Sequence, residues 1–156
     1  MPTVHLLARA VIRDDDHLLV VQADGQSHTF LPGGHREGSE SMAACLRREL
    51  REELGGEAEV GGYLGGVEHQ WRRKGASQYE INHCFSVSVP SLLATNTPCA
   101  REEYLSFAWV PISNLEAASL EPAPLQRLLA DNARPDVPWW ASTLDDRAGS
   151  FVTPRP

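Results

Sequence analysis

The segment from Gly34 to Gly56 constrains the fold of this chain more than any other part of the sequence. Between Glu40 and Leu54 it contains neither glycine nor proline and is dense in residues with high helix propensity. Ser39 can act as an N-cap, and Gly55 is well placed to end a helix. We therefore predict a helix from Glu40 to Leu54 as the most secure element of the chain.

One side of this predicted helix is apolar. At about 100° per residue, four apolar side chains fall within an arc of roughly 80°: Ala43, Leu46, Leu50 and Leu54. An apolar arc of this kind faces the core in a helix of a globular protein. The sequence therefore predicts that the helix packs on a sheet along this side.

The adjoining flank of the helix carries three carboxylates, Glu49, Glu52 and Glu53, at spacings that make them neighbours. Like charges at these spacings destabilise a helix by a few tenths of a kcal/mol per pair. A hard divalent cation such as Mg²⁺ would offset the repulsion, because it prefers oxygen ligands. The alternative is a solvated acidic face paired with the arginines at positions 47, 48 and 51. The helix alone leaves both interpretations open.

The segment as a whole has a distinctive spacing. Gly34 is followed after five residues by Glu40, and seven residues later by the run from Arg48 to Gly56, which reads R-E-L-R-E-E-L-G-G. This resembles the Nudix box, G-x5-E-x7-R-E-U-x-E-E-x-G-U, where U is a bulky aliphatic residue. Every fixed position matches except the last, where Gly56 replaces the aliphatic side chain. The flanking runs at 30–34 and 107–111 also resemble the family.

The resemblance implies an α/β/α sandwich with a mixed sheet and a catalytic loop–helix–loop. It implies Mg²⁺-dependent hydrolysis, with Mn²⁺ as a substitute, of a nucleoside diphosphate linked to a moiety X. The implied metal ligands are the backbone carbonyl of Gly34 and the carboxylates of Glu49, Glu52 and Glu53. Arg48 would orient one of these glutamates, and Glu53 is our preferred candidate for the general base, with Glu52 also in the catalytic group.

The rest of the chain reads as strands followed by short helices. Residues 3–13 and 17–23 read as a hairpin around the three aspartates at 14–16. Further strands are predicted at 59–72, 78–89 and 105–110, and short helices at 112–118 and 124–131. This order indicates an α/β sandwich of the α+β type with a mixed sheet.

The strands at 59–72 and 78–89 are joined by a turn around Lys74 and Gly75, which would place Glu68 opposite or diagonal to Glu80. Two glutamates opposite one another in a sheet repel each other unless both bind a common ligand. They would form either a polar wall of the active-site cleft or simply a solvent face. The cleft interpretation requires Glu80 to lie on the same side of the sheet as the glutamate helix.

Other candidate site residues lie outside the box. Glu103 is a candidate for an additional metal-binding carboxylate, because some relatives carry a glutamate in a loop of this region; a solvated loop acid is the alternative. Arg9, Arg36 and Arg72 are candidates for contacts to substrate phosphates, since guanidinium groups bind phosphate oxygens in pairs.

Composition limits the partners. The net charge of −7 argues against a broad nucleic-acid surface, which requires a basic excess.

We expect a domain at 1–131 and a Pro/Trp-containing tail at 132–156 that packs on the domain or forms a dimer contact. We also expect a small-molecule substrate, a cytoplasmic location and a monomer or homodimer. A nucleotide-sensing module without catalysis is the alternative function, and the sequence does not identify the substrate.

Overall fold

Residues 3–130 and 135–144 are described by the computed structural model. The strands in this part of the chain are β1 (Val4–Val11), β2 (Arg13–Asp14), β3 (His17–Ala23), β4 (Gly33–His35), β5 (Glu59–Arg73), β6 (Ala76–Ser88), β7 (Leu105–Pro111) and β8 (Trp139–Ser142). The helices are α1 (Met42–Leu54) and α2 (Pro124–Leu128), with a 3-10 turn at Ile112–Asn114. Among these residues, no helix is long and apolar enough to cross a membrane.

The strands form two sheets. The larger has the order β4-β1-β6-β5-β8, and the smaller has the order β2-β3-β7. In the larger sheet β1 runs parallel to β6 and β5 runs parallel to β8, whereas β1–β4 and β5–β6 are antiparallel. The predicted α/β sandwich with a mixed sheet is confirmed.

Each face of the larger sheet buries its own apolar cluster. On one face α1 places Cys45, Leu46 and Leu50 against Ala8 and Ala10 of β1. The opposite face packs against the region of the 3-10 turn and α2, through a second cluster: Val67, Cys84, Leu115, Leu120, Leu125 and Leu129. Because both faces are covered, side-chain parity along β1, β5 and β6 decides which residues lie beside α1 and which lie on the other side.

The first predicted hairpin is largely wrong. Only the two residues of β2 pair with β3, while β1 pairs with β4 and β6 in the other sheet. The chain changes sheets at Ile12, whose carbonyl accepts a hydrogen bond from the Leu19 N–H at 3.0 Å. The four central residues of β3, at 18–21, are all buried because this strand contributes to both apolar clusters. A simple hairpin would bury only one face of the strand.

The helix α1 begins two residues later than predicted. Its N-cap is Ser41 and not Ser39: the Ser41 hydroxyl oxygen accepts a hydrogen bond from the Ala44 N–H at 3.1 Å. Glu40 is excluded from the helix because its carboxylate accepts a bond from the Glu37 N–H at 2.8 Å and holds the preceding turn. Gly55 ends the helix in a left-handed conformation, with φ 74°, as predicted.

The register of the β5–β6 hairpin differs from the prediction by one residue. Lys74 and Gly75 both have positive φ, 49° and 80°, and form a two-residue loop of the kind that suits the twist of a hairpin. This loop pairs His69 with Glu80 and Glu68 with Ile81. Glu68 and Glu80 therefore lie on opposite faces of the sheet, since a shift of one residue reverses every side chain.

Of the two interpretations left open, the one that made Glu68 and Glu80 a polar wall on the α1 side is consequently wrong. Glu80 shares its face with Asn82 and Cys84, and Cys84 belongs to the apolar cluster opposite α1. Glu68 is on the other face, where its Oε1 accepts a hydrogen bond from the Ser142 hydroxyl at 2.7 Å.

The helices near the end are shorter than predicted. The range 112–118 contains only one 3-10 turn, followed by turns in which Ser119 has φ 52°. α2 ends at Leu128, and the last residue of its predicted range, Asp131, lies outside the described residues.

β8 was not predicted as a strand, because prolines surround it and it lacks alternation. It lies parallel to β5 with Trp139 opposite Gly65 and Trp140 opposite Gly66. A Cβ atom on Gly65 would lie 2.3 Å from the Trp139 carbonyl oxygen and from its indole ring. β8 therefore docks at this point because β5 carries no side chain there.

We expect Gly65→Ala to lower the free energy of unfolding by about 1–3 kcal/mol, since overpacking against backbone forces the strands apart. Urea unfolding measures the change, and limited proteolysis reports whether residues 135–144 detach. Gly62→Ala in the same strand is the matched control, because a Cβ there has no neighbour within 4 Å. Equal stability of the two variants would contradict this account of β8 docking.

Candidate active site

Two box carboxylates meet the backbone of Gly33 and Gly34. The Gly33 N–H donates a hydrogen bond to Glu53 Oε2 at 3.4 Å. A Cβ on Gly34 would lie 2.5 Å from the carboxyl carbon of Glu49, and one on Gly33 would lie 2.0 Å from the Ala8 carbonyl oxygen. Gly34 therefore allows Glu49 to approach β4, and Gly33 allows β4 to approach β1.

The three glutamates on the flank of α1 lie in unlike environments. Glu53 is only 5% exposed, and its burial, together with the charge of Glu49, raises its pKa to about 8, opposed by Arg9 and the Gly33 N–H. Burial also raises the pKa of Glu49, while its bond to Arg48 opposes the rise. Half of the Glu52 side chain remains exposed. The three glutamates therefore differ in exposure although their spacing in the sequence is similar: Glu53 is buried, Glu49 is partly buried and Glu52 is half-exposed.

Arg48 connects the loop to the helix. Its guanidinium donates to Glu40 at 2.7 Å and 3.1 Å, to Glu49 at 3.0 Å and to the His35 carbonyl at 3.0 Å. The contact with Glu52 is longer, 3.4 Å. The bond from Arg48, and then that from the Glu37 N–H, lower the pKa of Glu40 to about 2. Arg48 therefore holds both the loop before α1 and the carboxylate of Glu49, and its role is not limited to an ion pair along the helix.

The donor atoms fit a hydrated divalent cation better than a closed metal cage. Within the part of the chain that the structure describes, no three His, Cys, Asp or Glu residues enclose a metal position. Mg²⁺ does not require such a cage, because it usually retains several waters and binds one or two carboxylates. Glu49 and Glu53 lie close together in a desolvated position, and the Gly34 carbonyl accepts a weak contact from the Cys45 thiol at 3.7 Å.

A further carboxylate near the box is Glu102, which the sequence interpretation passed over in favour of Glu103. The charge of Glu102 contributes to raising the pKa of both Glu49 and Glu53. The Tyr104 hydroxyl donates a hydrogen bond to Glu102, whereas Glu103 is exposed. The sequence drew attention to this loop through its two adjacent glutamates, but only the three-dimensional path of the loop distinguishes them.

The same loop is tied to the end of α1. The Arg101 N–H donates to the Glu53 carbonyl at 2.8 Å. Arg101 also packs so closely on Gly55 that a Cβ there would lie 2.2 Å from its Nε. Glu102 is thereby held beside the last turn of the helix.

A cavity of about 560 Å³ opens on the face of the larger sheet opposite α1. Its floor includes Arg9, Trp71, Glu80 and Asn82 from β1, β5 and β6. The loop before β4 and the segment before α2 provide its walls, through residues that include Phe30 and Glu121. Sequence reasoning missed this cavity because its wrong register placed Glu80 and Trp71 on different faces.

Arg9 links the cavity to the box. It lies opposite Gly33 in the β1–β4 pair, and its charge lowers the pKa of Glu53. Its Nε donates to Asn82 Oδ1 at 3.1 Å, and its Nη1 donates to the Leu31 carbonyl at 3.1 Å. The guanidinium carbon also lies 5.5 Å from the centre of the Phe30 ring. This side chain is therefore fixed between the two regions.

The other two arginines predicted to contact phosphates, Arg36 and Arg72, lie in different places. Arg72 lines the same cavity as Arg9. The exposed Arg36 instead donates from Nε to the Glu40 carbonyl at 2.8 Å, which braces the loop before α1.

Comparison with known proteins identifies the family and the fold. The family model described as the NUDIX domain matches residues 3–131. The CTP pyrophosphohydrolase of Escherichia coli strain K12 is 34% identical over 114 residues, which cover 65% of this chain and 80% of that protein. The solution structure of the E. coli ORF135 protein is 30% identical, with a TM-score of 0.59 over 82% of this chain and 87% of that one. The MutT protein from Bacillus halodurans shares the fold, with a TM-score of 0.66, 15% identity and coverage of 97% and 99%.

The chain belongs to the NUDIX family. It is an enzyme of the pyrophosphohydrolase class.

The buried Glu53 predicts how the stability of the metal-free protein depends on pH. Its folded-state pKa of about 8 exceeds the ordinary value of 4.5, so between these values only the unfolded chain releases the proton. Unfolding then becomes easier by about 1.4 kcal/mol per pH unit, and the effect ends above the folded pKa. We expect Glu53→Gln, in the presence of a chelator, to gain stability over wild type progressively from pH 5 to pH 8 in urea unfolding.

The control for this measurement is Glu57→Gln, since the Glu57 side chain is 90% exposed. Its stability difference from wild type should not change with pH. A constant difference for Glu53→Gln would show that the carboxyl group is not perturbed by its burial.

Proposed function

We propose that this enzyme hydrolyses a phosphoanhydride bond in a nucleoside diphosphate linked to a second moiety, in a Mg²⁺-dependent reaction. The products would be a nucleoside monophosphate and either the phosphorylated moiety or pyrophosphate. The observation that carries the proposal is the meeting of Glu49 and Glu53 at the Gly33–Gly34 backbone, beside an arginine that leads into a cavity.

The electrostatics of the site support a requirement for a cation. Glu49, Glu52, Glu53 and Glu102 make the region acidic, and two of them are buried enough for their pKa values to rise. An anionic pyrophosphate would be repelled by this group unless a divalent ion reversed the local sign. Bound Mg²⁺ would supply charge neutralisation and a polarised water.

We assign roles to the residues on this basis. The Gly34 carbonyl and the carboxylates of Glu49, Glu52 and Glu53 would hold the ion, and Arg48 would keep Glu49 oriented through its bond of 3.0 Å. Glu53 remains our candidate for the base. We replace Glu103 with Glu102 as the additional carboxylate, because the charge of Glu102 contributes to raising the pKa of both Glu49 and Glu53.

The cavity is the candidate site for the nucleoside. Its volume of about 560 Å³ accommodates a base and a ribose. Phe30 and Trp71 offer aromatic surface, while Arg9 and Arg72 offer positive charge toward the phosphates. The similarity to a CTP pyrophosphohydrolase supports nucleoside triphosphates as the first substrates to test.

The test is a panel of nucleoside triphosphates, diphosphate sugars and dinucleoside polyphosphates, assayed with Mg²⁺ and with Mn²⁺ and with both products identified. We expect turnover that a chelator abolishes. Glu52→Gln and Glu49→Gln should each lower kcat by about 100-fold or more, since each removes a ligand from the ion. Glu57→Gln removes an exposed carboxylate just beyond the helix and should retain wild-type kcat.

Two outcomes would contradict the proposal. Wild-type turnover by folded Glu52→Gln would remove this residue from the metal site. Failure to hydrolyse any phosphoanhydride, despite demonstrated binding of Mg²⁺, would favour the nucleotide-sensing function.

A further inference from the structure

The carboxylate of Glu80 is held in one orientation on the cavity floor. Its Oε1 accepts a hydrogen bond from the Asn82 amide at 3.1 Å, and its Oε2 accepts one from the Trp71 indole N–H at 3.2 Å. Each carboxylate oxygen has two lone pairs, so one on each oxygen remains for a ligand. A group anchored at both oxygens offers a ligand a fixed pair of acceptors.

Arg9 provides the complementary donor nearby. Asn82 is 1% exposed and lies between the two charged groups, accepting from Arg9 Nε and donating to Glu80. Two of the guanidinium bonds are used within the protein, to Asn82 and to the Leu31 carbonyl, and the remaining N–H groups are free to serve a ligand. The cavity floor therefore presents an acceptor and a donor that are joined through Asn82.

A base that complements this pair must present an N–H donor next to a lone-pair acceptor. Bases with an exocyclic amino group satisfy this requirement, since the amino group donates and a neighbouring ring nitrogen or carbonyl accepts. Uracil and thymine also carry an N–H beside a carbonyl, but at ring positions 3 and 4 their donor and acceptor are exchanged relative to cytosine. In a ring held in place by its ribose and phosphates, the 4-carbonyl oxygen would face the carboxylate, and two acceptors repel one another.

We infer that Glu80 is a specificity-determining residue that selects nucleotides whose base carries an exocyclic amino group, against the diketo pyrimidines. The inference rests on the proposed function and names the class of base that the cavity takes. Glu80 lies on the sheet face opposite α1, so it acts on the base and not on the bond that is cleaved.

A purely structural role for Glu80 has a different signature. If the carboxylate only braced Trp71 and Asn82, its removal would slow the hydrolysis of all nucleotides by a similar factor. Recognition of an amino group requires the preference between two bases to change.

CTP and UTP form the matched substrate pair, because they differ only around position 4 of the ring. We expect wild-type kcat/KM to favour CTP over UTP by about tenfold or more, as for a hydrogen bond to a charged acceptor. The pair dCTP and dTTP should show the same direction. Equal kcat/KM for CTP and UTP in the wild-type enzyme would overturn the inference without any variant.

The variant Glu80→Gln tests the residue itself. Its amide keeps one acceptor oxygen and replaces the other oxygen with an N–H donor, at the cost of the bond to Trp71 or to Asn82, so it no longer repels a carbonyl group. We expect the CTP/UTP ratio to fall to within about threefold, through a loss for CTP and a gain for UTP. Glu68→Gln is the control: it removes the same charge from the neighbouring strand but on the opposite sheet face, and it should keep the wild-type ratio.

The remaining outcomes separate this inference from the proposed function. If no nucleotide is hydrolysed, the proposed function fails, and calorimetric binding of CTP and UTP then tests the base preference by itself. A retained ratio in folded Glu80→Gln overturns the assignment to Glu80. If circular dichroism shows that this variant does not fold, the kcat/KM values of the wild-type enzyme for CTP and UTP decide whether the inference stands.

Discussion

The approach of two glutamate carboxylates to the Gly33–Gly34 backbone is the contact on which the site depends. It requires a strand without side chains at these positions and a helix whose last turns bring Glu49 and Glu53 to the same place. Such an arrangement places two acidic groups in poor contact with water, which disfavours their ionised forms. The fold maintains this unfavourable pair through Arg48 and through the loop bonds around it.

Two chemically different regions lie on the two faces of one sheet. The α1 face and the β4 edge gather the acidic groups, while the opposite face forms the cavity with its fixed hydrogen-bonding pattern. Arg9 is the residue common to both regions, because it lies opposite Gly33 and bonds to Asn82. A change at Arg9 would therefore be expected to affect both regions, whereas changes at Glu80 or Glu52 would affect one.

The local patterns predicted the parts of the structure that depend on local physics. Helix propensity placed α1 to within two residues at its start, and the spacing of Glu49, Glu52 and Glu53 identified the acidic flank. What local patterns do not contain is the depth of each residue: nothing in the spacing shows that Glu53 is buried and Glu52 is half-exposed. The cavity was missed because the turn at Lys74 and Gly75 was predicted without its length, and the two-residue loop shifts the pairing by one residue and changes which side chains share a face.

The parallel pairing of β8 with β5 also bears on where this domain ends. The family model stops at residue 131, but Trp139–Ser142 form the outermost strand of the larger sheet. A chain shortened at 131 would leave the β5 edge with unpaired N–H and C=O groups, which is a template for pairing with other chains. β8 thus covers part of the β5 edge, and its removal would be expected to promote aggregation.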